Sequence, residues 1–347
     1  MYIPSFTLHD GPVLKGLRSA EANWLFDKRN GHTVMWGKTP KEDMKMSPVP
    51  VILDMEVTTQ CAGPGGVPCP FCYKANGPKG QNMTFHTFAN IINKMKFVTQ
   101  VAFGADAQGT ANPDLFMMME YARKLGIVPN ITIADISDDT ADRIAKHCGA
   151  VAVSRYADKN LCYDSVKKLT DRGMKQVNIH FMLSEETIPQ LLQTFTDIKE
   201  DPRLAKLNAI VLLSLKKKGR GKTGYTSLTQ EQFKAVVVTA LALNVPFGFD
   251  SCSARKFEKA IESIEIANKA ELLQLTVPCE STLESSYIDV NGDFYPCSFT
   301  EGSEGWEKGI SVVEAEDFVK DVWYHERTQE FREKLWGCNR HCPIYEV

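Results

Sequence analysis

From residue 50 onward, short apolar runs alternate with longer segments whose apolar residues recur at helical spacing. The runs at 51–57, 100–103, 130–134, 150–154, 176–183 and 209–215 read as strands; 84–96, 113–124, 138–147, 161–172, 186–198 and 230–243 read as helices. Asn112-Pro113-Asp114 opens one helix, and Gly126 and Gly173 stand just past the ends of two others. Strict alternation of this kind predicts an α/β fold in which a parallel sheet wraps into a partial (βα)6 TIM-like barrel. On that architecture functional residues occupy the loops after the strand carboxyl ends.

Outside this array the pattern changes. In residues 1–48 two short apolar runs, Asn23-Trp24-Leu25-Phe26 and the stretch from His32 to Trp36, flank Lys28-Arg29-Asn30-Gly31, whose Asn-Gly step predicts a hairpin. The segment is either a flap packed on the main domain or a contributor to substrate binding. Residues 245–252 suggest one more strand and 255–268 an amphipathic helix. From about Cys279 the composition shifts: strand-like pieces flank Asn291-Gly292, a hairpin signal, and a helix over 315–336 leads into Cys338 and Cys342. The expected division is therefore an extension at 1–48, a barrel at 49–250 and a small hairpin-plus-helix domain at 251–347.

With 43% hydrophobic and 24% charged residues in 347 and a formal charge of -3, the chain offers no electrostatic case for a nucleic-acid or membrane partner. It shows no secretory signal pattern and no run of eighteen apolar residues, so a cytoplasmic protein is expected. Ten cysteines dispersed through a well-cored chain, some in tight local groups, favour metal ligation in a reducing compartment over disulfides.

Cys61, Cys69 and Cys72 lie on a Gly/Pro-rich loop directly after the first barrel strand. Three thiolates are one fewer than a closed zinc or iron–sulfur site uses. An iron–sulfur cluster held this way keeps one iron open, whereas zinc would recruit a distant histidine. A second set, Cys279, Cys297, Cys338 and Cys342, has the ligand count of either one [4Fe-4S] cluster or a structural zinc. Cys252, between Ser251 and Ser253, is a hydrogen-atom donor, a substitute ligand or a small buried residue. The basic run from Lys216 to Lys222 meets an anionic substrate or is a solvated loop; Cys148 and Cys162 read as core.

The loop Cys61…Cys69-Pro70-Phe71-Cys72-Tyr73 resembles the cluster loop of the radical S-adenosylmethionine superfamily, with seven residues in a first gap that usually holds three. Cys279, the hairpin glycine Gly292, Cys297 and the closing Cys338/Cys342 pair resemble the family's SPASM/Twitch auxiliary-cluster module. The resemblance implies two [4Fe-4S] clusters, S-adenosylmethionine, and cleavage of the latter to a 5′-deoxyadenosyl radical that abstracts a substrate hydrogen. It also implies cofactor contacts from Phe71, Tyr73, Gly104, Asp106 (in place of the usual glutamate), Ser154, Arg155, Asn178 and His180, and a catalytic part for Cys252. Expected partners are a peptide or protein side chain, or else a small molecule undergoing dehydrogenation or cofactor assembly, and an electron donor such as flavodoxin or ferredoxin. A zinc-stabilised binding protein is the non-enzymatic alternative.

Overall fold

The computed structural model describes residues 3–345. An N-terminal four-stranded antiparallel sheet runs in the order β1 (Phe6–Asp10), β2 (Leu14–Ser19), β3 (Asn23–Asp27), β4 (Thr33–Trp36). The hairpin expected at Asn30-Gly31 is β3–β4, with Gly31 at φ +75°. Strands β1 and β2 escape the apolar pattern because His9, Asp10, Lys15 and Arg18 interrupt it.

Seven parallel strands follow: β5 (Ile52–Glu56), β6 (Gln100–Gly104), β7 (Val128–Ile133), β8 (Ala150–Ser154), β9 (Val177–Leu183), β10 (Ala209–Ser214) and β11 (Phe247–Phe249). Helices α1 (Phe85–Lys94), α2 (Leu115–Lys124), α3 (Asp138–His147), α4 (Lys159–Asp171), α5 (Ile188–Glu200) and α6 (Gln230–Ala242) connect them. All six expected strand–helix units are present, and the stretch at 245–252 supplies β11.

Two expected helices are divided. Ser263 turns its hydroxyl back onto Ala260 O (2.8 Å), and α7 (Ala254–Glu262) ends before α8 (Lys269–Gln274) begins. The C-terminal helix breaks between a π-turn at Val319–Trp323 and α9 (Glu326–Gly337), whose N-cap His325 accepts from Arg327 N–H through Nδ1.

The C-terminal hairpin continues the barrel sheet. β12 (Ser285–Ile288) pairs in parallel with β5, β13 (Asp293–Tyr295) antiparallel with β12 across Asn291-Gly292, and β14 (Ile310–Ser311) antiparallel with β13. The result is one ten-stranded sheet whose edges, among the described residues, are β11 and β14.

Alternation along the strands separates two faces. On β9, Val177, Ile179, Phe181 and Leu183 are buried under the helices, while Asn178, His180 and Met182 take the opposite face. The register sets Asp54 beside Ala102 and Tyr287, Glu56 beside Gly104, Gly104 beside Thr132, and Ser154 beside His180. The concave face thus carries polar and small residues on β5 to β9 and the apolar Met182, Val211 and Leu213 toward the β10 side, which makes it a lumen rather than a core. No helix among the described residues is long and apolar enough to cross a membrane.

The N-terminal sheet covers the amino end of the barrel. Fully buried Lys15 donates to Lys96 O and to Val98 O (2.8 Å) just before β6, and Gln176, just before β9, donates to Asn30 O (2.8 Å). That end is opposite the thiol loop, so this sheet packs on the main domain as expected, at the floor of the barrel and away from the strand carboxyl ends. Replacing Lys15 by Met strands two carbonyls without a donor. We expect Lys15→Met to lose about 1–3 kcal/mol in chemical denaturation.

Candidate functional site

The loop after β5 is closed at its neck. Met83 N–H donates to Val57 O (2.9 Å), Thr59 N–H to Gln81 O (2.9 Å) and Cys61 N–H to Gly77 O (2.7 Å). Buried Asn112, ahead of α2, spans both sides of the neck, its Nδ2 donating to Val57 O (2.7 Å) and Met83 O (2.9 Å). All three thiols lie in the tip beyond this neck. The long first gap turns outward: Gly65, Gly66, Val67 and Pro68 are exposed, while Gly63, at φ +84°, has no room for a Cβ, which would meet Val67 O at 1.9 Å.

The basic run after β10 clasps the tip. Arg220 donates through Nε to Cys69 O (2.7 Å), through Nη1 to Asn76 O (2.9 Å) and through its backbone N–H to Cys72 O (3.0 Å). Lys218 Nζ reaches three carbonyls beyond Cys297: Ser298 (3.1 Å), Phe299 (3.3 Å) and Glu301 (2.7 Å). Lys216 is buried against Asp250 and lies over the Phe299 ring at 4.9 Å. These three cations are committed to protein partners, which corrects the expectation of a solvated loop or a free anion-binding patch.

Aromatic rings flank the thiols. Phe71 stacks on Tyr156 at 5.5 Å, and the buried Tyr156 hydroxyl lies close to Ser154 and Cys69. Tyr73 turns the other way: its hydroxyl meets Ser298 Oγ (3.2 Å) and its ring lies 4.4 Å from that of Phe299. Beside it, Lys74 joins Glu56 (3.0 Å), Glu301 and the Tyr287 hydroxyl (2.9 Å), and that hydroxyl also bonds Glu301 (3.0 Å). Burial raises the Glu56 carboxyl, and the Lys74 ammonium opposes that rise.

Three expected cofactor contacts are engaged elsewhere. Asp106 is 4% exposed and accepts the backbone N–H of Gln108 (3.2 Å), Thr110 (2.9 Å) and Ala111 (2.9 Å), so it shapes its own turn. Arg155 falls on the helix-facing side with Val151 and Val153 and lies over the Tyr163 ring of α4 at 5.7 Å. Asn178, near the amino end of β9, accepts from Asn208 Nδ2 (2.8 Å). Gly104, Ser154 and His180 do face the lumen. Solvent reaches Asp54 there, yet protein surrounds it, and this enclosure, reinforced by Glu280, pushes its carboxyl up to about 7. Burial holds the His180 imidazole down at about 4, against a weaker opposing pull from Asp250.

In the second set, Cys279 N–H donates to Arg340 O (3.3 Å) and Cys279 O accepts from Arg340 Nε (3.0 Å), which draws the C-terminal turn to the hairpin. Burial raises the thiols of Cys279, Cys297 and Cys338, the nearby Cys342 adds to each rise, and Cys252 lies near Cys279 and Cys297. None of the ten cysteines is in a disulfide. Among the described residues, no three His, Cys, Asp or Glu side chains converge into a ready-made metal cage. The donor chemistry nevertheless fits a thiophilic group. Burial pushes the thiols of Cys69 and Cys279 up to about 11 and about 12, as it does those of core Cys148 and Cys162, and what distinguishes the two site groups is that each gathers several cysteines on neighbouring turns.

No protein-family model and no curated protein matches the chain. Among solved structures, Streptococcus suis SuiB bound to precursor peptide SuiA matches with a TM-score of 0.66 at 16% identity, over 89% of this chain and 87% of that one. SuiB bound to S-adenosylmethionine matches with a TM-score of 0.61 at 16% identity, over 82% of this chain and 68% of that one. The fold is that of SuiB.

Within this SuiB-like fold, Asn112, Tyr156, Lys74 and Arg220 escape motif reasoning. Three of them hold backbone carbonyls or a buried carboxylate, and only the position of Tyr156 just past a strand end hints at its place. Gly63→Ala is expected to disorder the tip, read as faster hydrogen exchange through 61–72, with a much smaller effect from Gly77→Ala, where a Cβ meets nothing within 4 Å and the backbone is not left-handed. His180 also sets a pH dependence. With its folded pKa near 4 against 6.5 in the open chain, the unfolded state takes up the proton first, and stability falls as pH drops through that window. Denaturation of His180→Gln across the same window should lack that component.

Proposed function

We propose that this chain is a radical S-adenosylmethionine enzyme that acts on a peptide or protein side chain. The observation that carries the proposal is the tied three-thiol tip at the carboxyl end of the first barrel strand, beside a polar lumen. The fold is shared with a protein solved with S-adenosylmethionine and with a precursor peptide, which supports both the cofactor and the substrate class.

Cys61, Cys69 and Cys72 would hold a [4Fe-4S] cluster which, when bound, supplies the electron that cleaves S-adenosylmethionine to the hydrogen-abstracting 5′-deoxyadenosyl radical. The chain's own residues prepare the space. Gly104, beside Glu56 in the register, leaves its stretch of the lumen wall without a side chain. The Phe71–Tyr156 stack offers a flat apolar wall, and the Ser154 hydroxyl and neutral His180 offer hydrogen bonds without adding charge. Cys279, Cys297, Cys338 and Cys342 would hold a second cluster, and Cys252, near Cys279 and Cys297, would return a hydrogen atom to a substrate radical.

The test is product analysis. Anaerobically reconstituted protein given S-adenosylmethionine and a strong reductant should release 5′-deoxyadenosine, and a Cys61/Cys69/Cys72 triple alanine variant should release none. Equal yields from both proteins, or none from the wild type, refute the mechanism.

A further inference from the structure

The segment from Lys216 to Arg220 touches both thiol loops at once. Its cations alternate in sequence, Lys216, Lys218 and Arg220; a tight turn closed by Lys218 N–H on Lys216 O (2.7 Å) and a 3-10 turn at Gly219–Lys222 bring each onto a protein partner, while the intervening Lys217 is exposed. Arg220 holds the backbone of Cys69 and Cys72 in the first loop. Lys218 holds the turn after Cys297, and Lys216 pairs with Asp250 and lies over the Phe299 ring. Gly219 permits the close approach: at φ +58°, a Cβ there would lie 2.3 Å from Tyr73 O and 2.5 Å from Cys72 O. The segment is thus a strap hydrogen-bonded to both loops and in van der Waals contact with the first.

Resting on the function proposed above, we infer that this strap is the positioning and potential-setting element of the site. It fixes the two thiol loops against each other, and its cations raise the reduction potential of the group each loop holds. The physical reason is charge. One-electron reduction adds one negative charge to a thiolate-held group in a partly buried site, and a nearby guanidinium or ammonium stabilises the reduced form more than the oxidised one. Arg220 acts on the first loop and Lys218 on the second. They are positioning residues, since they reach backbone carbonyls and not the reacting atoms.

The experiment is an electron-paramagnetic-resonance redox titration of reconstituted wild type, Arg220→Met, Arg220→Lys and Lys218→Met, using dithionite as reductant, with iron content and hydrogen exchange measured on the same samples. Arg220→Met should shift the first signal to more negative potential and speed exchange across 69–77. Lys218→Met should shift the second signal and speed exchange across 298–303. Arg220→Lys keeps the charge but not the two-carbonyl grip, so it should restore the potential and not the slow exchange. Iron-loaded variants with wild-type potentials overturn the inference while leaving the proposed function intact. A wild type that takes up no iron overturns the proposed function itself, and unchanged exchange in its Arg220→Met form would then refute the positioning as well.

Discussion

The thiol loop is long, polar and rich in Gly and Pro, so it buries too little apolar surface to hold a shape by packing. Its shape depends on where its backbone carbonyls find donors. Asn112 satisfies Val57 and Met83 at the neck; Arg220 satisfies Cys69, Cys72 and Asn76 at the tip. Those donors come from the loops after β6 and β10, far apart in sequence and adjacent only when the strands are in register. The tip is therefore organised by the barrel, and the thiols are presented by tertiary structure rather than by their spacing alone.

The same dependence explains the hollow interior. A closed (βα)8 barrel fills its centre with layers of branched apolar side chains. Here the sheet stays open, most branched strand residues lie under the helices, and Asp54, Glu56, Gly104, Thr132, Ser154 and His180 face inward together with Val211 and Leu213 of β10. The N-terminal sheet closes the amino end, and the β12–β13 hairpin extends the wall on the β5 side. Lys74, bonded to Glu56, Tyr287 and Glu301, stitches barrel strand, thiol loop and hairpin together at the seam. Removing one partner of such a buried group leaves the others uncompensated, so the seam is rigid by necessity.

Much of this was legible in the residues. Six strand–helix units follow from long, strongly periodic segments, and both Asn-Gly hairpins from turn chemistry. Strands β1 and β2 were not legible, because a strand packed on a barrel end carries buried polar residues such as Lys15 that break the apolar alternation. The thiols announce themselves, but their supports do not: a donor to a backbone carbonyl has no partner side chain to betray it. Arg155 shows how motif and periodicity can compete. Its place after Ser154 suggested a cofactor contact, yet strand parity with Val151 and Val153 sends it under α4. Asp106 has the right chemistry for a cofactor amine, and the turn it heads takes up both of its oxygens first.

The central claim is that the three-thiol tip holds an iron–sulfur cluster with one iron free for S-adenosylmethionine. Iron and acid-labile sulfide analysis, combined with the electron-paramagnetic-resonance spectrum of the reduced protein before and after S-adenosylmethionine is added, tests it most directly. Two [4Fe-4S] clusters predict about eight irons and as many sulfides per chain, with one of two reduced signals changing shape on addition. Zinc without labile sulfide, or a loaded protein whose spectrum S-adenosylmethionine leaves untouched, would contradict it.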